Sequence, residues 1–315
     1  MEIDEKLKIN PSKVEKSILD FIQKTIKPRE IDGFVISYKY SLETLISVHI
    51  ASKVVGKENV KLLVTKGRFI SKQPRETMTI EAINSYIDLP IENIIIVNKG
   101  QILQEINHAI SEPQELRSGF YFADSLPGLN YNLGYFLLKS MAQGNMEEKT
   151  YASPEKRPKS GREKFIQKTI AAYKSQIRLG ALLAFNLAES ENYSVMGIVN
   201  KSEWLLGLFT KFGTFQAADF LPLADLYRTQ VVQLAEYLGY LDYINSTPTP
   251  GSSNFQGIFN ITVEEIDRIL IRLEENNEIS RIMEEVSVSE EIVKKITRFY
   301  HISQYARKVP LIPKL

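Results

Sequence analysis

Apolar side chains recur at Val14, Ile18, Phe21, Ile22 and Ile26, the stripe of a helix over about 12–27, with Pro28 behind it. The run GFVISY (33–38) is apolar and rich in β-branched residues, the mark of a strand buried on both faces. From Leu42 to Val55 the pattern turns helical, and Gly56 stands where a helix end takes a left-handed residue. Further strands are predicted at 59–65, 93–98 and 193–200, with helices at about 76–87, 101–111 and 165–190. Strand alternating with helix predicts an α/β fold: a doubly wound parallel sheet with helices on both faces. The last third reads as helical, over 227–239, 263–276 and 290–302, so the expected class is α/β with a helical C-terminal part.

Residues 112–163 break this rhythm. They begin with the aromatic, Gly-rich RSGFYFADSLPGLNYN and continue into the polar, net-basic EEKTYASPEKRPKSGREK. A connection of that length is a lid, a binding element or disorder. Its basic part, 156–164, reads first as a solvated surface; Tyr151 alone supports contact with RNA or another polyanion. An apolar docking surface would centre on Phe120, Tyr121 and Phe122. The expected organisation is one domain over 1–315 with 112–163 as an insertion or lid.

The bulk numbers exclude more than they identify. A formal net charge of +1 gives no global field for nucleic acid or an anionic membrane. The absence of cysteine removes disulfides, thiolate metal sites and cysteine nucleophiles. No apolar run reaches membrane-spanning length, and MEIDEKLKIN lacks the apolar core of a signal peptide. A cytoplasmic protein is expected.

Chemistry is sparse by motif. His49, His108 and His301 have no metal-ligand spacing, and His49 is expected to be packed rather than catalytic. Nucleophile elbow, Walker A and G-x-G-x-x-G patterns are all missing. The informative stretch is Gly197–Gly239. Its Lys201, Lys211 and Arg228 are expected along the carboxyl edge of the sheet, where ligands of such folds sit and where cations suit phosphates. Glu203 is a candidate for Mg²⁺.

This stretch resembles the ammonia-dependent NAD synthetases. The likeness runs through Asn200-Lys201-Ser202-Glu203, Leu206-Gly207, Phe209-Thr210-Lys211, Ala218-Asp219, Leu221-Pro222, Asp225-Leu226-Tyr227 and Thr229-Gln230-Val231. Residues 32–63 align to the family without a gap, and the terminal RKVPLIPKL is similar to the family's ending; about 70–170 resists matching. The resemblance implies an adenine nucleotide alpha-hydrolase-like (ATP-pyrophosphatase) fold. It implies adenylylation of deamido-NAD by ATP, displacement of AMP by ammonia, and a homodimer. Mg²⁺ and ATP are the cofactors it implies for an active chain.

The family's pyrophosphate loop, Ser-Gly-Gly-x-Asp-Ser, falls on Lys39-Tyr40-Ser41-Leu42-Glu43-Thr44, which keeps none of its five fixed residues. Carried over residue by residue, the resemblance assigns Lys39, Ser41, Thr44 and Arg178 to ATP. It assigns Glu43 and Glu203 to the metal, and leaves Lys211, Asp219 and Arg228 as a catalytic remnant. A family threonine and glycine become Ile198 and Val199, and the family's N-x-Q-A-R-x-R-M helix survives only at Arg178. The expectation is a family member impaired in catalysis that acts by binding a nucleotide, a partner, or an active paralogue as a heterodimer. Alternatives are an active synthetase in which Lys39 and Glu43 rebuild the loop, or another ATP-dependent amidation or adenylylation. An enzyme requires Glu43 and Glu203 to converge on one metal; a binding module requires the Tyr38 and Tyr40 rings to fill the cleft. Lys211, Asp219 and Arg228 are alternatively a purely structural network, paired with one another.

Overall fold

The computed structural model describes residues 4–66, 80–100, 102–103, 161–240, 242 and 259–308. The 101–111 helix, His108, the aromatic cluster at 120–122, Tyr151 and the basic loop therefore lie outside the described residues, apart from the ends of these segments.

Among the described residues the sheet has four parallel strands, β1 (Gly33–Ser37), β2 (Val60–Lys66), β3 (Ile94–Asn98) and β4 (Tyr193–Met196), in the order β3-β2-β1-β4. Strand order reverses at β1. The carboxyl ends of β1 and β4 therefore diverge and leave a crevice between the loops that follow them. β4 is shorter than the 193–200 expected from its pattern. At Gly197 the chain leaves the ladder and bonds instead to the carbonyls of Phe220 and Phe215, so Gly197–Asn200 stays buried without being strand.

Every residue of β1 is buried, and its alternation decides the layers. Phe34 and Ile36 face α2 (Leu42–Val55), α1 (Pro11–Ile26) and the helix at Arg228–Tyr237; Val35 faces Ala184 and Ala188 of the long helix Gly161–Ser190. Gly33 permits the closest strand approach, since a Cβ there would meet the Asn59 carbonyl at 2.3 Å and the Tyr193 ring at 2.5 Å. α2 is apolar nearly all round because α1, the sheet and Arg228–Tyr237 enclose it. It ends at Gly56 with φ 86°, as its sequence predicts. His49 on α2 is packed, 3.1 Å from Glu15 and edge-on to Tyr240.

In chain order the further helices are α3 (Ile80–Ile87), α4 (Gly161–Ser190), α5 (Lys201–Leu206), α6 (Arg228–Tyr237), α7 (Val263–Glu274), α8 (Ile279–Val286), α9 (Glu290–Ile302) and α10 (Gln304–Arg307). Helices α5 and α7–α9 close a second apolar core around Leu206, Ile269, Ile296 and Phe299. Sequence patterning had not separated out α5, α8 and α10, which are four to eight residues long. Among the described residues no helix is long and apolar enough to cross a membrane.

Phe34 is fully buried on the central strand and meets the Phe220 ring edge-on at 5.6 Å. Phe34→Ala is expected to cost about 3–5 kcal/mol, measurable as a fall in the urea midpoint at unchanged slope.

Candidate functional site

The crevice between β1 and β4 is crossed by charge. Ser41 opens α2, whose first turn carries Glu43, 2% exposed. Across the gap Asn200, wholly buried, caps α5: its side-chain oxygen accepts from the Glu203 N–H at 2.9 Å, and Glu203 reaches back to the Asn200 N–H. That capping box orients the rest of the Asn200 amide. Its Nδ2 donates to Glu43 Oε1 at 2.7 Å. Arg228, first residue of α6 and buried, donates to the same oxygen at 2.5 Å. Lys39 Nζ bonds Glu203 Oε1 at 2.9 Å. Lys39, Arg228, Glu43 and Glu203 thus form a cluster of two cations and two anions, joined through Asn200.

Its electrostatics follow from burial and pairing. Burial opposes the charged form of Glu43, but Arg228 and then Lys39 outweigh it and hold the carboxyl well below the ordinary range. Burial likewise opposes the Lys39 ammonium, and Glu203 followed by Glu43 outweighs it and raises the lysine. Glu43 stands in the first turn of α2, so its carboxylate belongs to the helix start, where a bound anion would rest.

Other groups hold this arrangement in place. Thr44 Oγ1 donates to the Lys39 carbonyl at 2.6 Å and accepts from the Lys39 N–H at 3.2 Å, closing the 39–44 loop on itself. Asp267 of α7 is completely buried and accepts from the Thr229 N–H and hydroxyl and from Ser202 Oγ; Ser202 Oγ in turn accepts from the Arg228 N–H. An anion is thus supplied to the N-terminus of α6 from another helix. Burial pushes Asp267 up to about 6, against the hydrogen bonds from Ser202 and Thr229.

The predicted site residues divide. Lys39, Glu43, Glu203 and Arg228 come together. Lys211 does not join them, because its ammonium caps the Tyr305 and Lys308 carbonyls at 3.2 and 3.1 Å. Asp219 instead accepts from the Val195 N–H at 2.8 Å and pins the chain beside β4. Lys211, Asp219 and Arg228 therefore form no mutual network. Lys201 leaves the carboxyl edge for Glu274 and Asp225, over the Tyr227 ring. Arg178 Nε donates to the Lys211 carbonyl at 3.2 Å. Thr44 spends its hydroxyl on the loop. Ser41 Oγ is buried without a partner, as are Ser37 Oγ and both amide atoms of Gln176. The Tyr38 and Tyr40 rings pack against the larger apolar core around β1, so the filling of the cleft by these rings that a binding module was expected to show is not what the structure has; the crevice is spanned by ionic groups, with the Phe215 ring 5.7 Å from the Lys39 ammonium.

Two contributors were missed from sequence. Asn200 was legible in principle, since Asn200-x-x-Glu203 is a capping-box spacing. Asp267 gave no local signal, because its partners lie far away in sequence.

The cluster does not fit a divalent metal. Mg²⁺ demands near-octahedral oxygens and dehydrates reluctantly. Here Glu43 Oε1 is met by an amide donor and a guanidinium, and Glu203 by an ammonium and a backbone N–H. Among the described residues no three His, Asp or Glu side chains gather as a metal site.

The NAD synthase family model matches residues 141–310, just over half of the chain; Lys39–Thr44 precede that match. The NH(3)-dependent NAD(+) synthetase of Thermotoga neapolitana is 26% identical over 303 residues, covering 95% of each chain. That of Sulfolobus acidocaldarius is 40% identical over 147 residues, 45% of this chain and 52% of its own. Among solved structures, an NH3-dependent NAD synthetase from Campylobacter jejuni aligns over 98% of this chain and 100% of its own, with a TM-score of 0.63 at 18% identity. An NMN synthetase from Francisella tularensis aligns over the same shares, with a TM-score of 0.64 at 16% identity. At those identities the two structures speak for the fold.

Removing Arg228 would strand a buried carboxylate. Arg228→Ala is expected to cost about 3–5 kcal/mol, and the double change Glu43→Leu with Arg228→Met distinctly less; urea unfolding of the three chains checks this. Asp267 is raised in the folded chain, so the native state binds the extra proton between the unfolded carboxyl value and about 6. Its contribution to stability should therefore grow as pH falls through that window and stay level above it. Unfolding free energy relative to Asp267→Asn is expected to rise on the order of 2 kcal/mol between pH 7 and 4.5.

Proposed function

The chain belongs to the NAD synthase family, and from that premise we propose that it is a member impaired in ATP-dependent amidation of deamido-NAD, which acts by binding. The observation that carries this reading is the Glu43 carboxylate at the head of α2, held by Asn200 and Arg228. A pyrophosphate seated on α2 needs free N–H groups and uncompensated positive charge. Here a protein carboxylate lies over the helix start, and both nearby cations are neutralised by carboxylates within the cluster. A triphosphate would have to displace a buried ion pair before making its own contacts. Losing one preorganised donor already costs about 3–4 kcal/mol of transition-state stabilisation.

On this reading Lys39, Glu43, Glu203 and Arg228 are retained as an internal brace, and Lys211 and Asp219 serve the fold. What the chain binds is a nucleotide or another protein subunit. A homodimer is the form the family resemblance implies, and a heterodimer with an active paralogue is the variant in which an impaired chain still serves catalysis. The single-domain organisation over 1–315, with 112–163 as an insertion that contacts the partner or ligand, is part of the same proposal.

A second reading has its own support. Relatives named as NH(3)-dependent NAD(+) synthetases align over nearly the whole chain, and the hydroxyls of Ser37, just before the loop, and Ser41, within it, are buried and unpartnered. In that case Lys39 and Arg228 swing from Glu203 and Glu43 onto a nucleotide's phosphates, and the family's reaction with ATP, deamido-NAD and ammonia is retained.

Pyrophosphate release with Mg-ATP, deamido-NAD and ammonia separates the two readings, with calorimetric titration of ATP in parallel. We expect no release above the protein-free rate. Release that Glu203→Ala abolishes would overturn the impaired reading.

A further inference from the structure

We propose that Lys39 is the resident cation of this site, its ammonium standing where the family places a divalent metal, so that binding in the crevice needs no divalent ion at Glu43 and Glu203. The inference rests on the same cluster as the proposed function, but not on loss of turnover.

Three observations carry it. The two acidic side chains carried over as metal ligands belong to one connected cluster. Glu203 is 2.9 Å from the Lys39 ammonium, and Glu43 is tied to Glu203 through the single residue Asn200. A positive charge is already paired with each carboxylate, the Lys39 ammonium with Glu203 and the Arg228 guanidinium with Glu43. The remaining valences are filled by donors rather than acceptors. Asn200 cannot offer its oxygen to a metal at Glu43, because that oxygen accepts the Glu203 N–H and turns Nδ2 toward Glu43.

The substitution is chemically coherent. Two carboxylates drawn together in a buried crevice repel each other and require positive charge between them. A divalent ion supplies it at the cost of dehydration and strict geometry. An ammonium on a four-carbon stem, helped by the Arg228 guanidinium on Glu43, supplies it permanently and without strict geometry. The thread of hydrogen bonds from Thr44 to the Lys39 backbone fixes the root of that stem. Lys39 is therefore part of the fold's charge balance, whether or not a ligand is present.

The test is manganese binding by the full chain, followed by electron paramagnetic resonance as loss of the free-ion signal. The wild-type chain is expected to take up no more Mn²⁺ than its Glu203→Gln variant. Lys39→Ser, and independently Lys39→Gln, should raise Mn²⁺ affinity about tenfold or more, because an adjacent positive charge is removed. Adding Glu203→Gln to either should abolish the gain. A saturable wild-type site lost on Glu203→Gln would overturn the proposal. So would folded Lys39 variants that bind no more Mn²⁺ than wild type. If neither Lys39 variant folds, the comparison of wild type with Glu203→Gln decides alone. Pyrophosphate release by a chain that binds no Mn²⁺ at Glu203 would remove the impaired-enzyme reading and leave this one in place.

Discussion

The pair between Arg228 and Glu43 is the constraint on which the architecture of the crevice depends. Its members come from the first residue of α6 and the first turn of α2, and each is almost wholly buried. Neither charge would be tolerated there alone. A guanidinium at a helix N-terminus opposes the helix dipole, and a carboxylate in an apolar core loses its hydration. Each resolves the other's problem, and the Asn200 amide takes up further carboxylate valence. The heads of α2 and α6 are thereby locked together across the point where the sheet's winding reverses.

From that lock the surrounding polar groups follow in order. Arg228 can sit at the start of α6 because its own N–H is met by Ser202 and the next by Asp267. Ser202 is in place because Asn200 and Glu203 cap α5 just before and after it. Glu203 then has one oxygen left over, which Lys39 takes. The brace thus joins α2, α5, α6 and α7, and through them the sheet and the second apolar core. A buried ionic network of this kind is poor evidence for net stability, since packed apolar groups of similar shape often do as well. What it supplies is position, and a closed charge count at the heads of α2 and α6.

Much of the fold was legible in the sequence, because it rests on local periodicity. The apolar runs at 33–38 and 93–98, the α2 stripe ending at Gly56, and the long helix before β4 all appear within a residue or a few of where their pattern puts them. The overreach at β4 has a physical cause. Gly197–Asn200 is as buried as a strand, but its bonds go to the Phe215 and Phe220 carbonyls rather than to a ladder. The site was legible in part. Charge type and family spacing pointed to Lys39, Glu43, Glu203 and Arg228, whereas the pairing among them depends on contacts 157 to 185 positions apart. Lys211 illustrates the converse: its motif placed it at the ligand edge, and two C-terminal carbonyls claim its ammonium.

The same geometry explains how a loop without glycine is accommodated after β1. A phosphate-binding loop keeps its glycines so that the backbone can approach an anion that arrives and leaves. Where the anion is a side chain of the helix itself, that approach is no longer needed, and residues with a Cβ fit. Tyr40 can then turn its ring into the α1–α2 core, Ser41 can open the helix in an extended conformation with φ −162°, and Thr44 can close the loop through its hydroxyl. The sequence KYSLET is locally self-consistent for a loop that carries its own anion in Glu43 and its own cation in Lys39. The departure from the family's five fixed residues is, on that account, one coupled change rather than five separate losses.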